Sequence, residues 1–260
     1  MNRRGVACFL GVVAVATWPL PAAFAPSASA QPCPDVDVVF ARGTTEPPGV
    51  GQTGEAFIDA LNPRLVGRSS DVYAVNYPAS NDFATGVDGL YDAKAHIEST
   101  AANCPNTKMV LGGYSQGAAI MGFATSSQVP AGVNPADVPK PLAPEVADHV
   151  AAVTLFGLPS NQFMDQIGQP PVAIGPLYAA KTIRLCEPGD PVCSIGGGDW
   201  AAHTHYSVDG TVDQAADFVA SRLGPPPTAP PPPPGAPAPG PGLPPPPPGA
   251  PAPGPLPPPP

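Results

Sequence analysis

The chain has 260 residues, of which 44 are proline and 28 glycine; only 12% are charged, and acidic side chains outnumber basic ones by 20 to 11. The prolines are unevenly spread: residues 225–260 hold 23 of them and no charge, so the compositional mark of disorder belongs to that tail and not to the rest. An acidic surface repels phosphate backbones, which sets nucleic-acid binding aside.

In chain order, the sequence opens Met1-Asn2-Arg3-Arg4, runs apolar from Gly5 to Ala16 and reaches Ala28-Ser29-Ala30, the three regions of a signal peptide over residues 1–30. The apolar run stops near Trp18-Pro19, short of the roughly 20 residues a spanning helix needs, so no transmembrane segment is expected. Removing 1–30 leaves 9 basic and 20 acidic residues, a formal charge of −11. It also removes Cys8 and leaves Cys33, Cys104, Cys186 and Cys193. An even count in an exported chain predicts two disulfides. Of the three possible pairings, Cys33 with Cys104 and Cys186 with Cys193 is the simplest. Zinc is not expected, because neither a C-x-x-C motif nor a nearby His pair at ligand spacing accompanies these cysteines.

Residues 31–224 suffice for one α/β domain. Val36–Ala41, Val72–Val75, Lys108–Leu111, Val150–Phe156 and Lys181–Leu185 read as five strands. Helical patterns fall on Gly54 to Leu65, on Phe83 through Val87, Leu90, Tyr91 and Ile97, and on Gln116 to Ser126, and an apolar stripe from Val208 to Leu223 closes the domain. Strand followed by helix, repeated, predicts a five-stranded parallel sheet covered by helices on both faces, with ligands at the carboxyl ends of the strands. Beyond it, Pro230–Pro241 and Pro244–Pro255 both spell PPPPPGAPAPGP. With nothing to bury, residues 225–260 are expected to be a disordered Pro-rich tail that samples polyproline II. As a spacer it could reach the cell envelope.

The third strand runs into Gly112-Gly113-Tyr114-Ser115-Gln116-Gly117, a G-x-S-x-G string at a strand-to-helix turn. Such a turn presents the serine hydroxyl, and glycine two before and two after lets neighbouring backbone pass without a Cβ clash. A serine hydroxyl needs a base, itself oriented by a carboxylate. Of the four histidines, His96 falls inside the second helix and His149 just before a strand, places that suit surface or capped residues. His203 and His205 lie between the last strand and the last helix, in an extended loop at the sheet's carboxyl edge, and are the two candidates. For the acid, Asp190 follows the fifth strand inside Cys186-Glu-Pro-Gly-Asp-Pro-Val-Cys193, where a short disulfide loop and flanking prolines would hold it. The order Ser, Asp, His is the one α/β-hydrolases use.

These residues resemble the cutinases, the small lidless α/β-hydrolases of fungi and actinobacteria, and in particular the secreted cutinase-like proteins of mycobacteria. Four motifs carry the likeness: Phe40-Ala-Arg-Gly-Thr44-Thr-Glu46, Gly-Tyr-Ser115-Gln-Gly, Cys186-x-x-x-Asp190-x-x-Cys193 and His203-x-x-Tyr206. The resemblance implies Ser115 as nucleophile, Asp190 as acid and His203, three before the tyrosine, as base. It also implies an oxyanion hole of the Gln116 backbone N–H with the N–H and hydroxyl of Thr44, and it matches the disulfide pairing above.

The expectation is therefore a secreted, possible cell-wall-associated serine esterase, monomeric and without cofactor, whose partner is an ester substrate at a lipid or polymer surface. No long apolar insertion suggests a lid, so a shallow site for short or medium acyl chains is expected. An acyltransferase would use the same residues, and an inactive binding or antigenic protein would keep the fold without needing all three.

Overall fold

The computed structural model describes residues 33–225, and the fold lies from Pro34 onward. The expected signal peptide over 1–30 and all of the Pro-rich tail beyond Pro225 lie outside the described residues. Five strands, β1 (Val36–Ala41), β2 (Ser70–Ala74), β3 (Lys108–Tyr114), β4 (Val150–Phe156) and β5 (Thr182–Leu185), form one parallel sheet in the order β2-β1-β3-β4-β5. Among the described residues six helices accompany them: α1 (Gly51–Leu61), α2 (Gly86–Asn103), α3 (Gln116–Ala124), α4 (Asn161–Gln166), α5 (Pro176–Ala179) and α6 (Thr211–Leu223).

The two-residue period of a strand sorts the core into two layers. Val36, Val38 and Phe40 of β1, with Val110 and Phe156, pack under α1 and α6. Val39, Ala41, Met109, Leu111, Val153 and Leu155 pack on the opposite face, under α2 and α3. A register shift between Met109 and Val110 adjusts β4 to this alternation. On the first face Phe40, Phe57 and Phe156 meet pairwise with ring centroids 5.7–6.3 Å apart. Because both faces are covered, the central strands are predominantly apolar, which is why they stand out in the sequence.

Differences from expectation have local causes. Helix α6 starts at Thr211 and not near Val208: Asp209 Oδ1 accepts from the Thr211 N–H at 2.8 Å, and the resulting turn leaves Val208 76% exposed. Helix α1 is shifted to begin at Gly51, and its last expected turn is a 3₁₀ turn over Asn62–Arg64, where Pro63 interrupts the ladder. Helices α4 and α5 were not expected, since four to six residues are too few to display a helical period. His96 is half-buried and partnered: its Nε2 lies 2.8 Å from Asp37 Oδ2, and its ring stacks on Tyr73 at 3.6 Å.

Candidate active site

Three connections at the carboxyl ends of β1, β3 and β5 converge. At the end of β3, Ser115 has φ +54° and ψ −115°, a conformation that a residue with a Cβ adopts only under strain. The neighbouring glycines make the turn possible: a Cβ on Gly113 would lie 2.3 Å from the Gly117 carbonyl oxygen, and one on Gly117 would lie 2.0 Å from that of Ala41. The Ser115 N–H is tied to the Phe156 carbonyl at 2.9 Å, which anchors the turn to β4.

The connection after β5 supplies the next two groups. Ser115 Oγ is 2.9 Å from His203 Nε2, and His203 Nδ1 is 2.8 Å from Asp190 Oδ2. A hydroxyl, an imidazole and a carboxylate are thus joined in the geometry of a Ser–His–Asp triad. Asp190 is fully buried, as charged groups rarely are unless partnered. Its partners are His203, the Tyr206 hydroxyl at 2.6 Å and the Val192 N–H at 2.7 Å. Burial opposes the carboxylate's charge, but the bonds from His203, Tyr206 and Val192 outweigh it and hold the pKa below the usual value. The Tyr206 hydroxyl is pushed up, by burial first and then by its bond to Asp190, so it stays a donor, while accepting from the Glu187 N–H at 3.0 Å.

Cys186 and Cys193 are bonded to each other across a Cα separation of 5.8 Å, closing the loop that carries Asp190. Cys33 and Cys104 are disulfide-bonded as well. His203 sits on a 3₁₀ turn, Ala202–Thr204, and not in the extended loop expected from sequence. The Tyr114 hydroxyl donates to the His203 carbonyl at 2.5 Å, and Trp200 stands edge-on to the imidazole with centroids 6.0 Å apart. His205, on the other side of the turn, is exposed.

After β1 the loop Arg42–Glu46 is braced from both sides. The buried Arg42 donates to the carbonyls of Glu46 at 2.9 Å and Tyr77 at 2.5 Å, while the Glu46 carboxylate accepts from the Gly43 N–H at 2.5 Å and the Gln52 N–H at 2.7 Å. Thr44 is carried on this loop, its hydroxyl 3.5 Å from Gln116 Oε1, and Gln116 Nε2 donates to the Ser80 carbonyl at 3.3 Å. Gln116 opens α3, so its N–H falls outside the helical ladder. Tyr114, Tyr206 as a donor, and the Arg42–Glu46 brace were missed by sequence reasoning. Only the motifs that contain them hinted at a role.

Thr44, Ser115, Gln116 and His203 line a cavity of about 610 Å³. Its floor is the outer side of α3, with Ile120 and Phe123, and its walls include Val129, Val138, Phe163 and Ile167. The expected shallow site is therefore corrected: the connection 128–141 and the segment 163–170, which begins inside α4, wall a sizeable apolar cavity. Among the described residues there is no cluster of His, Cys, Asp or Glu able to hold a metal, and no helix long and apolar enough to cross a membrane.

A parallel sheet whose third strand ends in a strained serine, with carboxylate and then histidine arriving from the connection after the last strand, defines an α/β-hydrolase. The cutinase family model matches residues 32–223. The probable carboxylesterase Culp5 of Mycobacterium tuberculosis is 62% identical over 174 residues, covering 67% of this chain and 99% of that one. Carboxylesterase Culp1 of Mycobacterium bovis is 49% identical over 228 residues, 86% and 98% of the two chains. Phospholipase Culp4 of M. tuberculosis is 46% identical over 221 residues, 85% and 92%. Among solved structures, Trichoderma reesei cutinase with a C11Y4 phosphonate inhibitor aligns with a TM-score of 0.57 at 37% identity, over 74% of this chain and 78% of that one. The chain belongs to the cutinase family and is a carboxylic-ester hydrolase.

Proposed function

We propose that the protein is an exported serine esterase working through an acyl-enzyme on Ser115. His203 takes the Ser115 proton as the hydroxyl attacks the ester carbonyl, and Asp190 holds the imidazole in the required tautomer and stabilises the imidazolium. The N–H groups of Gln116 and Thr44, with the Thr44 hydroxyl, receive the tetrahedral oxyanion. His203 then protonates the leaving alcohol, and water repeats the sequence to free the acid. The observation that carries this reading is the pair of hydrogen bonds that joins Ser115 to His203 at 2.9 Å and His203 to Asp190 at 2.8 Å. The substrate class is aliphatic esters of lipid or polymer surfaces. Support for it comes from the apolar cavity, from Trp200, which lines it while 61% exposed, and from the phospholipase and carboxylesterase names of the relatives.

The test is a serine-directed phosphonate on the purified protein. It should label one residue, Ser115, and Ser115→Ala should lose about 10⁶-fold in kcat toward p-nitrophenyl esters with an unchanged melting temperature. Turnover surviving in that variant would overturn the assignment.

A further inference from the structure

The cavity is larger than an acetyl group requires, and one of its walls has an unusual support. Residues 128–141 leave α3 and return to the 3₁₀ turn Pro144–His149 without regular structure. Their bonds are local: the Val133 N–H reaches the Pro130 carbonyl at 3.2 Å, and the Asp137 N–H and Ala136 N–H reach Asn134 at 3.0 and 3.2 Å. Yet Val129, Val133, Val138 and Pro141 of this stretch line the cavity, so its position sets the cavity's width. From the body of the protein one cationic side chain reaches across. Lys94 of α2, only 4% exposed, donates its Nζ to the Lys140 carbonyl, between the cavity-lining Pro139 and Pro141.

Burying an ammonium on a neutral acceptor costs stability. Burial indeed pulls the Lys94 pKa below its usual value, with Glu98 one turn along acting the other way. An apolar side chain would pack in that place at less cost, so the donor's contribution lies in what it holds. It holds the wall.

We propose that Lys94 is the positioning residue that fixes the cavity's outer wall and so sets the chain-length preference for linear acyl groups laid along α3. The proposal rests on the reading of Ser115 as nucleophile. Each methylene that such a groove takes out of water raises kcat/KM by roughly fourfold until the chain outgrows the groove. A two-carbon acyl group stays near Ser115 and does not reach the wall.

The experiment compares p-nitrophenyl acetate, decanoate and palmitate on the wild-type protein, Lys94→Met and Lys94→Arg, with active sites counted by phosphonate labelling. Wild type should favour decanoate over acetate by at least about 100-fold in kcat/KM, a value well under the full methylene increment. In Lys94→Met, which keeps the length of the side chain and removes the donor, decanoate should lose at least about tenfold, mainly through KM, while acetate stays within about twofold. Lys94→Arg should recover most of the loss. Should Lys94→Met fail to fold, hydrogen exchange on wild type decides: a decyl phosphonate on Ser115 should protect amides of 128–141, and an ethyl phosphonate should not. A wild-type preference for acetate, equal losses on short and long esters, an unchanged profile in Lys94→Met, or equal protection by both phosphonates would overturn the proposal. Failure of either phosphonate to label Ser115 would instead bring down the esterase reading itself.

Discussion

Asp190 is the residue on which the site's electrostatics turn, because three donors converge on a carboxylate removed from water. Tyr206 is the donor whose removal tests this without touching the hydroxyl-to-imidazole bond. Tyr206→Phe leaves the ring buried, strips one donor from Asp190 and leaves the Glu187 N–H without its acceptor, so a loss of about 1–3 kcal/mol is expected. The sign with pH follows from the depressed Asp190 pKa: the folded state favours the ionised form, so the stabilisation is present above the ordinary value of 3.8 and fades as pH falls through the folded-state value. Denaturant melts should show the gap between wild type and Tyr206→Phe narrowing below about pH 4. A gap that stays constant into acid would assign the loss to packing alone. The two histidines of the same turn offer a second check: His203→Ala should lower kcat by at least about 10³-fold, whereas the exposed His205→Ala should stay within about twofold. Reversed phenotypes would show that the base is His205.

At the scale of elements, what the sequence made legible and what it hid divide along burial. The five strands were readable because a sheet covered on both faces demands apolar-rich runs such as Val36–Ala41 and Val150–Phe156, each broken by a single buried polar residue, Asp37 and Thr154. Ser115 was readable because close approach of backbone at Gly113 and Gly117 leaves glycine as the residue that fits. The cavity wall was not. In residues 128–141 the apolar side chains are interspersed with prolines and polar residues and carry no period, and their alignment beside α3 comes from tertiary contacts such as that of Lys94 with Lys140. The Asp190 loop lies between these cases: its cysteines and prolines marked Asp190 as a held carboxylate, but the Tyr206 and Val192 donors that fix it became visible only in three dimensions. Closing an eight-residue loop should contribute about 2.5 kcal/mol through the unfolded chain. Replacing Cys186 and Cys193 together by Ser should therefore lower Tm by roughly 5–10 °C in a domain of this size. Because Asp190 loses its frame as well, kcat should fall in thermal melts and ester assays run on the same preparation. A variant with wild-type Tm and kcat would mean that Tyr206 and Val192 alone fix the carboxylate.

For the whole molecule, the question is where the folded body ends. Helix α6 buries Val212, Ala215, Ala216 and Val219 against the sheet and breaks at Gly224, which has φ +69°. One Nη of Arg68 then lies 3.0, 2.7 and 2.6 Å from the carbonyl oxygens of Leu223, Gly224 and Pro225, sharing its two N–H groups among the free acceptors of the helix end. Residues 226–260 hold one Thr and two Leu, and otherwise Pro, Gly and Ala, so they offer little apolar surface to offset the entropy of ordering them. A chain ending at Pro225 keeps the whole Arg68 cap. Its Tm should lie within about 2 °C of the full-length protein, below the shift that 1 kcal/mol produces in a domain of this length. Its kcat/KM on soluble esters should match too, whereas binding to cell-envelope preparations is where an uncharged, proline-rich extension would make a difference. Ending the chain at Arg222 removes all three acceptors and should lower Tm by several degrees, which calibrates the assay. If truncation at Pro225 does the same, the tail packs on the catalytic body and the boundary lies further along the chain.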